Sequence, residues 1–319
     1  MTTHVKFLIG SLLFAMLVVV SGCGKDSDAV VVDFSKTLKV ERPAGQVSES
    51  GTLKVAVAAM ISPKETLIFY EQLLNYIGVR LGQDIQLVQR KTYEEVNTLI
   101  DKEQIDLAFI CSGPYANDKQ KYGLEALATP LVRNEPFYHS YLIVNIESPY
   151  QNLNDLRGHT FAFTDPDSNS GALVPKFWLR QLGESPDSFF GKTIYTYSHD
   201  NSILAVARSL VDGAAVDGHK WEYYSKQNPL YTSKTRVIKK SEPFGSPPLV
   251  ASSMIPEILK RQIRETLYTM HLDPAGKKIL SELLIDRFVP PQEQWYAPIR
   301  MMQQSLEQIE TTSHADAQS

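Results

Sequence analysis

Apolar and polar positions follow two different periods along the chain from residue 52 onward. Apolar residues at every second position over 53–57 predict a strand, and apolar residues three or four positions apart over 67–77 predict a helix. The same patterns predict further strands at 85–88, 106–110, 138–144, 160–163, 193–197, 214–216 and 235–238, and further helices at 93–102, 171–182, 201–210, 256–270, 274–284 and 294–309. This alternation predicts an α/β fold with mainly parallel sheets.

Two such blocks follow one another along the chain. The second is bounded by the apolar strand over 138–144 and by three prolines between 243 and 248, so we expect the chain to leave one lobe near residue 145 and to return near 250. The predicted lobes are 51–143 plus 250–319 for lobe 1, and 144–249 for lobe 2. Two crossings leave a cleft between the lobes, and ligands favour such clefts beyond the carboxyl ends of parallel strands.

The first 50 residues have a different pattern. Lys6 precedes an apolar run over 7–20 and then small residues before Cys23, which predicts a secretory signal peptide over 1–22. The run is too short for a comfortable membrane span. The small residues before Cys23 resemble a bacterial lipobox, so we expect cleavage there and lipid on the thiol, with a plain signal peptide as the alternative. Polar residues over 23–50 predict a flexible tether, with the folded part in the periplasm or on the cell-envelope exterior, anchored to a bacterial membrane.

Composition narrows the classes of partner. The chain has 319 residues, 43% hydrophobic and 21% charged, as expected for a globular protein. Its formal net charge of −4 gives no basic field for nucleic acid, so any anion site must be local. With Cys23 lipidated, Cys111 has no partner for an intramolecular disulfide. Its place beside an apolar strand predicts a small buried residue rather than a nucleophile.

The most informative segment is Asp-Pro-Asp-Ser-Asn-Ser-Gly at 165–171, between the predicted strand 160–163 and the predicted helix 171–182. The first backbone N–H groups of a helix have no internal partner and carry partial positive charge. Short hydroxyl side chains and a glycine let a small oxyanion approach these donors. The segment therefore predicts an anion site at a helix start, with an ordinary helix cap as the alternative.

Four separated motifs carry a resemblance to a known family. They are Asp-Pro-Asp-Ser-Asn-Ser-Gly with Leu-Val-Pro at 165–175, Ser-His-Asp-Asn-Ser with Ala-Val-Ala at 198–207, Val-Asp-Gly-Ala-Ala-Val-Asp at 211–217, and Pro-Ala-Gly-Lys with Asp-Arg-Phe at 274–288. In this order they resemble the phosphate/phosphite/phosphonate-binding substrate-binding proteins of ABC importers, over about residues 52–305. The resemblance implies a class II periplasmic-binding-protein fold, in which two lobes close around the ligand.

The resemblance also implies a set of ligand-binding residues. It implies that Ser168, Asn169 and Ser170 hold phosphonyl oxygens through side chains and backbone N–H groups, although the family usually has Thr where Asn169 stands. Tyr93 and Tyr138 match positions where the family contacts its ligand. A phenol O–H can donate to a phosphonyl oxygen while its ring walls the cleft.

Two further residues complete the predicted site. His199 matches a family histidine and can donate to an oxyanion, more strongly when protonated; the alternative is a capping or structural histidine. Asp217 ends a predicted strand at the cleft, where it can accept the proton of a P–O–H group and so favour a protonated phosphorus oxyanion over sulfate. The alternative for Asp217 is the cap of a helix that starts near His219.

One departure from the family bears on the ligand. Family members that bind aminoethylphosphonate hold its ammonium with acidic residues, and the matching positions here are His219 and Pro247. Neither residue is an acid. The resemblance therefore implies phosphate, phosphite or methylphosphonate in preference to an aminoalkylphosphonate.

Motifs of other functional classes are missing from the sequence. It has no HExxH, GxSxG or P-loop motif and no clustered metal ligands, so we expect neither an enzyme nor a cofactor. We expect a monomeric, lipid-anchored solute-binding protein that captures a small phosphorus oxyanion and delivers it to an ABC permease. The alternatives are a ligand sensor for a membrane signalling partner and the same fold with another small ligand, such as a sulfonate or a vitamin precursor.

Overall fold

The computed structural model describes residues 38–40 and 51–316. The predicted signal peptide, the predicted lipid-attachment residue Cys23 and most of the predicted tether lie outside this part. None of the helices described is both long enough and apolar enough to cross a membrane.

Strands and helices alternate along most of the described chain. The strands are β1 (Leu38–Val40), β2 (Thr52–Val57), β3 (Asp84–Gln89), β4 (Leu107–Phe109), β5 (Glu125–Leu131), β6 (Phe137–Tyr138), β7 (Ser140–Asn145), β8 (Thr160–Phe163), β9 (Lys192–Tyr195), β10 (Gly213–Asp217), β11 (Thr235–Lys240), β12 (Phe244–Gly245), β13 (Leu249–Ala251) and β14 (Arg287–Val289). The α-helices are α1 (Pro63–Leu81), α2 (Tyr93–Asp101), α3 (Ser112–Asp118), α4 (Val174–Gln181), α5 (Pro186–Phe189), α6 (His199–Ala207), α7 (Gly218–Gln227), α8 (Glu257–Thr269), α9 (Pro274–Glu282) and α10 (Ala297–Asp316). Single turns of other helix types lie at Leu153–Leu156, Asn169–Leu173, Thr232–Lys234, Met270–Leu272 and Glu293–Tyr296.

Two sheets form the frames of two lobes. The seven-stranded sheet of lobe 1 has the order β1-β3-β2-β4-β13-β5-β14, and the five-stranded sheet of lobe 2 has the order β11-β7-β10-β8-β9. In lobe 1, β2 pairs in parallel with β3 and β4, whereas β13 runs antiparallel between β4 and β5. In lobe 2, β8 pairs in parallel with β9 and β10, whereas β7 is antiparallel to β10 and β11.

The prediction of mainly parallel sheets holds for only part of each sheet. β7 and β13 enter their sheets from the other lobe, directly and without a crossover helix. Parallel neighbours need such a crossover, whereas antiparallel neighbours do not. The two returning strands therefore pair antiparallel on both of their sides.

The two segments that cross between the lobes pair with each other. β6 and β12 form a two-stranded antiparallel ribbon in which Tyr138 lies opposite Phe244. A Cβ on Gly245 would lie 2.9 Å from the Cβ of Trp295, so a larger residue would push the ribbon away from its support. The single strand predicted over 138–144 is thus two strands, and the predicted lobe boundary falls inside β7.

Buried apolar side chains connect the two lobes. One cluster includes Val96 and Ile110 of lobe 1 together with Leu142 and Phe161 of lobe 2. Phe161 also stacks on Phe190, with ring centroids 4.3 Å apart. This shared core holds the strand ends of both lobes close together, where the polar residues of the predicted site lie.

Candidate functional site

The predicted ligand-binding residues meet where the two lobes face each other. Six of them follow or end β3, β8, β9 and β10, and the seventh lies in the crossing ribbon. All are at most 3% exposed: Tyr93, Tyr138, Ser168, Asn169, Ser170, His199 and Asp217. The site therefore occupies the carboxyl ends of parallel strands, as expected for this class of sheet.

The segment 165–171 of lobe 2, which we call the anion segment, leads into a helix through a π-helical turn at Asn169–Leu173. The N–H groups of Ala172 and Leu173 both reach the carbonyl oxygen of Ser168, at 3.0 and 2.9 Å, which widens the turn. The helix predicted over 171–182 is therefore a π turn followed by α4. Such widened turns are common at functional sites because they turn side chains out of the regular helical array.

Two glycines let backbone segments approach closely at this point. A Cβ on Gly171 would lie 1.6 Å from Oγ1 of Thr164, so the position requires glycine. A Cβ on Gly113 would lie 2.6 Å from the carbonyl oxygen of Asp167. The start of α3 in lobe 1 thus packs directly on the anion segment of lobe 2.

Cys111 lies at the start of α3, beside the anion segment. Burial raises the pKa of its thiol to about 11, against the opposing effect of N–H donors from Gly113 and Asn169. The thiol is therefore protonated at neutral pH. This agrees with the prediction of a small buried residue.

Tyr138 connects the crossing ribbon to both helix starts. Its Oη lies 2.6 Å from Oγ of Ser112 and accepts a hydrogen bond from Nδ2 of Asn169 at 2.9 Å. Nδ2 of Asn169 is held by Tyr138, whereas Oδ1 of Asn169 is buried without a hydrogen-bond partner among the residues described and is available to a ligand. The structure thus anchors the Asn169 amide on the crossing ribbon.

Tyr93 is the first residue of α2 in lobe 1. Thr92 and Glu95 form a reciprocal cap that fixes the start of this helix. The Tyr93 N–H donates to Oδ2 of Asp165 in lobe 2 at 3.0 Å, which joins the two lobes. Burial raises the pKa of the Tyr93 phenol well above its ordinary value, so the side chain is a neutral donor.

His199 is neutral in this structure. Its Nδ1 accepts the backbone N–H of Asp217 at 3.1 Å, which places the ring proton on Nε2. Burial lowers the pKa of His199 to about 4, against the opposing effect of the nearby Asp217 carboxylate. The protonated form considered from the sequence is therefore not the form at neutral pH. His199 also joins the lobes, because its backbone N–H donates to the Met60 carbonyl at 3.1 Å.

Asp217 caps a helix, as the alternative from the sequence predicted. Its Oδ1 accepts the Lys220 N–H at 3.2 Å at the start of α7. Cap formation uses one carboxylate oxygen and does not itself exclude a contact with ligand. Asp217 also lies close enough to both site tyrosines to oppose ionisation of Tyr93 and Tyr138, although burial is the larger cause of their raised pKa values.

Several buried polar atoms of the site have no hydrogen-bond partner among the residues that the structure describes. They are Oη of Tyr93, Oγ1 of Thr164, Oδ1 of Asn169, Oγ of Ser170 and Oγ of Ser198. Leaving a buried polar group unpaired costs about 1–3 kcal/mol. The set mixes hydroxyl donors with an amide acceptor and contains no lysine or arginine, which suits a small oxyanion that carries a proton.

Sequence reasoning missed some of these residues. Thr164 directly follows β8, and Ser112 follows β4 by three positions. Their places at strand ends could have identified them as site residues from the sequence. Ser198 precedes His199 in a motif that the sequence had singled out. No group of three or more His, Cys, Asp or Glu residues in the described part could hold a metal ion.

Comparisons with known proteins agree with this architecture. The model of a family described as "ABC transporter, phosphonate, periplasmic substrate-binding protein" matches residues 55–296. The phosphonates-binding periplasmic protein of Escherichia coli (strain K12) is 31% identical over 171 residues, which are 52% of this chain and 50% of that protein. The chain thus aligns with only 50% of the length of this relative, and with 59% of the length of a second curated relative.

Two solved structures share the fold. The binding protein component of an ABC phosphonate transporter from Pseudomonas aeruginosa aligns with a TM-score of 0.75 and 23% identity, over 80% of this chain and 86% of that one. PhnD1 from Prochlorococcus marinus (MIT 9301), solved in complex with methylphosphonate, aligns with a TM-score of 0.72 and 20% identity, over 80% and 98%. At these identities the likeness bears on the fold alone.

The fold and the buried interlobe site define a two-lobed periplasmic binding protein. The family match extends over most of the described chain and includes every predicted ligand-binding residue. The chain belongs to the family of ABC transporter, phosphonate, periplasmic substrate-binding proteins. This is a family of transport binding proteins rather than of enzymes.

Proposed function

We propose that this protein is the substrate-binding component of an ABC importer and captures a small phosphorus oxyanion between its lobes. The observation that carries the proposal is the group of buried, unpartnered polar atoms from Tyr93, Asn169 and Ser170 at the lobe junction. A tetrahedral phosphorus oxyanion would give each of these atoms a partner. Family membership supports the same ligand class.

Each residue of the site has a proposed role. Tyr93, Ser170 and the Nε2–H of His199 donate to phosphoryl or phosphonyl oxygens, and Ser168 holds the helix start through its bond to the Gly171 N–H. Tyr138 and Asn169 act as a pair, since the amide is anchored on the phenol oxygen. The acceptors that remain, Oδ1 of Asn169 and the Asp217 carboxylate, suit a P–O–H group. Sulfate has no proton to offer them at neutral pH.

Bonds between the lobes support capture by closure. Asp165 accepts from the Tyr93 N–H, His199 donates to the Met60 carbonyl, and Asp200 accepts from the Ser62 N–H at 2.9 Å. Such contacts can favour a closed form only if they are weaker or absent in an open form. The closed form is the one we propose to dock on the permease.

The remaining parts of the proposal concern the cell envelope. Cys23 carries a lipid that anchors the mature protein to a bacterial membrane, and residues 23–50 act as a tether. The folded part works as a monomer in the periplasm or on the exterior of the envelope. It has no catalytic role and no cofactor.

Isothermal titration tests the proposal. The full chain, purified in detergent, is titrated with phosphate, phosphite, methylphosphonate, 2-aminoethylphosphonate and sulfate. We expect tight binding of at least one small phosphorus anion and no heat from sulfate. A folded, ligand-free sample that binds none of the five would contradict the proposed ligand class.

A further inference from the structure

Part of the predicted tether is an edge strand of lobe 1. β1 (Leu38–Val40) pairs antiparallel with β3, and it has no partner strand on its other side among the residues that the structure describes. The next strand along the chain is β2, which begins at Thr52. The chain therefore joins the sheet of lobe 1 before residue 51, where the sequence predicts that lobe 1 begins.

The register of this pairing matches the burial pattern of β3. The apolar residues Leu38 and Val40 lie opposite two β3 residues that are at most 2% exposed. Lys39 lies opposite Gln86, which is half-buried. Residues directly opposite each other in an antiparallel pair share a face of the sheet, so a slip by one residue would place the lysine opposite a buried apolar residue. The sequence of β1 thus specifies its register on β3.

The direction of β1 decides where the chain enters lobe 1. The parallel strands β2, β3 and β4 direct their carboxyl ends at the cleft, and β3 leads to Tyr93 of the candidate site. Because β1 runs in the opposite direction, its first residue, Leu38, lies opposite Leu87 near this end of β3. Thr52, the first residue of β2, lies opposite Asp84 at the other end. With β1 paired, the chain therefore enters lobe 1 on its cleft side; with β1 unpaired, it would enter at the far end.

The pairing of β1 also shortens the link to the predicted lipid-attachment residue. Leu38 follows Cys23 by 15 positions, whereas Thr52 follows it by 29. A fully extended chain spans at most about 3.3–3.6 Å per residue, so the longest possible link is about 50 Å with β1 paired and about 100 Å without it. The pairing thus halves the largest distance between the anchor and lobe 1.

β1 is short, and the rest of lobe 1 does not depend on it. Its three residues cover an edge of β3 that would otherwise present unpaired backbone N–H and C=O groups. On its other edge, β3 (Asp84–Gln89) is paired along its whole length with β2 (Thr52–Val57). Loss of the pairing should therefore free the preceding segment from lobe 1 and leave the fold and the candidate site intact.

We propose that β1 is a docking strand for the membrane tether. Paired with β3, it holds the anchored protein by the cleft side of lobe 1 and keeps the cleft close to the membrane that contains the permease. Lobe 2 takes no part in this pairing and remains free to move when the lobes open and close. The inference rests on the proposed function, since it requires a lipid on Cys23.

Hydrogen exchange of the full chain in detergent tests the pairing. Leu38→Pro together with Lys39→Pro removes at least one N–H that β1 directs at β3, because the N–H groups of consecutive strand residues point to opposite edges. We expect the amides of Asp84–Gln89 that face β1 to exchange about tenfold faster in this variant, with unchanged affinity for methylphosphonate. The matched control, Val47→Pro with Ser48→Pro, places two prolines between β1 and β2 and should leave the exchange of β3 unchanged. Equal exchange in the wild type and the β1 variant would overturn the docking strand.

Energy transfer on liposomes tests the attachment point. The lipidated full chain is inserted into liposomes that carry an acceptor dye on their lipids, and a donor dye is attached to Glu94→Cys or to Asp101→Cys. Both positions are exposed on α2, one at its cleft-side start and one at its opposite end, roughly 10 Å apart. Cys111 is buried and should not take the dye. We expect stronger transfer from position 94 than from position 101, and loss of this difference when Leu38→Pro and Lys39→Pro are added.

The outcomes separate this inference from the proposed function. Faster exchange of β3 in the β1 variant, with a transfer difference that depends on β1, would support the docking strand. Equal transfer from the two positions, or a difference that the prolines leave unchanged, would overturn it and leave the proposed function intact. A mature chain whose mass shows no lipid on Cys23 would overturn the proposed anchor and this inference with it. The ligand titrations test the proposed ligand class independently of either result.

Discussion

Ser168 and Ser170, at the start of the π turn, differ in the partners of their hydroxyl groups. Oγ of Ser168 already accepts the Gly171 N–H and so stabilises the helix start. Oγ of Ser170 is buried without a partner among the residues described, although its carbonyl accepts the Ser140 hydroxyl at 2.6 Å. Because its hydroxyl is buried without a hydrogen bond to the protein, Ser170 is a better candidate for a ligand contact than Ser168.

This difference predicts separate effects of two alanine substitutions. Ser170→Ala should weaken methylphosphonate binding by about 1–3 kcal/mol, because it removes a hydrogen bond to a charged group, with little change in thermal stability. Ser168→Ala should weaken binding and also lower the free energy of unfolding by about 0.5–2 kcal/mol through the lost cap. Calorimetric titration and thermal unfolding without ligand measure the two effects. Wild-type affinity in Ser170→Ala would contradict the assigned role.

The phenol of Tyr93 gives a second prediction at this scale. Tyr93→Phe removes only the unpartnered Oη, so binding should weaken by about 1–3 kcal/mol while the unfolding midpoint stays the same or rises. Tyr231→Phe serves as the matched control, because the Tyr231 hydroxyl is paired with Arg208 away from the site. A loss of stability with unchanged affinity would indicate a structural role for the Tyr93 hydroxyl.

At the scale of elements, the site depends on how strand ends and helix starts meet. β10 ends at Asp217, whose N–H holds the ring of His199 at the start of α6, and whose carboxylate caps α7. The π turn after β8 depends on the contact between Gly171 and Thr164. Each element thus fixes the position of a group on the next one.

His199 predicts a pH dependence of stability. Burial lowers the pKa of His199 in the folded state to about 4, whereas its ordinary value is 6.5. The unfolded state therefore takes up the proton first as the pH falls. The stability present above pH 6.5 is lost between pH 6.5 and pH 4, by about 3 kcal/mol at most. Asp165 acts in the opposite direction, since burial raises its pKa to about 6 and the folded state then holds the proton more tightly.

A variant isolates the histidine contribution. His199→Asn keeps an acceptor for the Asp217 N–H but does not titrate. We expect the free energy of urea unfolding to fall less between pH 6.5 and pH 4 in this variant than in the wild type. The Asp165 contribution is present in both proteins and cancels in the difference. Parallel pH profiles would show that His199 titrates normally in the folded protein.

The close approach at Gly171 gives a prediction for the turn itself. Gly171→Ala would place a Cβ 1.6 Å from Oγ1 of Thr164, so we expect a loss of at least about 1–3 kcal/mol in unfolding free energy and a loss of binding. Thr164→Gly in the same chain should restore part of the stability. Gly51→Ala is the matched control, because a Cβ there has no heavy atom within 4 Å. Wild-type stability in Gly171→Ala would show that the turn adapts.

At the scale of the whole molecule, the two lobes are joined by a ribbon, a shared core and a few polar bonds. The bond between Asp165 and the Tyr93 N–H spans the lobes next to the site, and the second oxygen of Asp165 accepts the Asp167 N–H at 3.0 Å. An amide at this position has only one acceptor oxygen. It can therefore satisfy only one of these two donors.

Replacement of Asp165 should shift the balance between closed and open forms. We expect Asp165→Asn to weaken methylphosphonate binding by about tenfold, since it loses one charge-assisted bond across the lobes. Small-angle scattering of the full chain should show a larger radius of gyration without ligand and recovery with saturating ligand. Asp187→Asn, at an exposed position on α5, is the control. Unchanged affinity and shape in Asp165→Asn would remove this bond from the closure mechanism.

Prediction from the sequence worked best where the signal is local. The strand predicted over 160–163 has the same bounds as β8. The residue pattern of the strand and the turn residues that follow it are local signals, and they determine its bounds without contacts from distant parts of the chain. The helix predicted from residue 171 begins earlier, at Asn169, because the Ser168 carbonyl accepts two N–H groups. The strand predicted over 138–144 is broken at His139, since its two halves pair with different partners.

The candidate site also has parts that local sequence predicted and parts that depend on long-range contacts. The anion segment, the tyrosines, His199 and Asp217 were found from their motifs, and the structure places them together in one buried junction. The neutral state of His199 and the anchoring of Asn169 on Tyr138 could not be predicted, because both depend on partners distant in the chain.

The sequence by itself determined most of the alternating strands and helices, although not β5, β13, β14, α3, α5 or α7, together with the family motifs and the residue types of the predicted anion site. These depend on local periodicity, turn chemistry and motif order, all of which are properties of neighbouring residues. Only the tertiary structure decided the antiparallel pairing of β7 and β13 and the ribbon between the lobes. Strand pairing and cavities depend on contacts between residues far apart in the chain, and burial sets the pKa values of the groups that those contacts enclose.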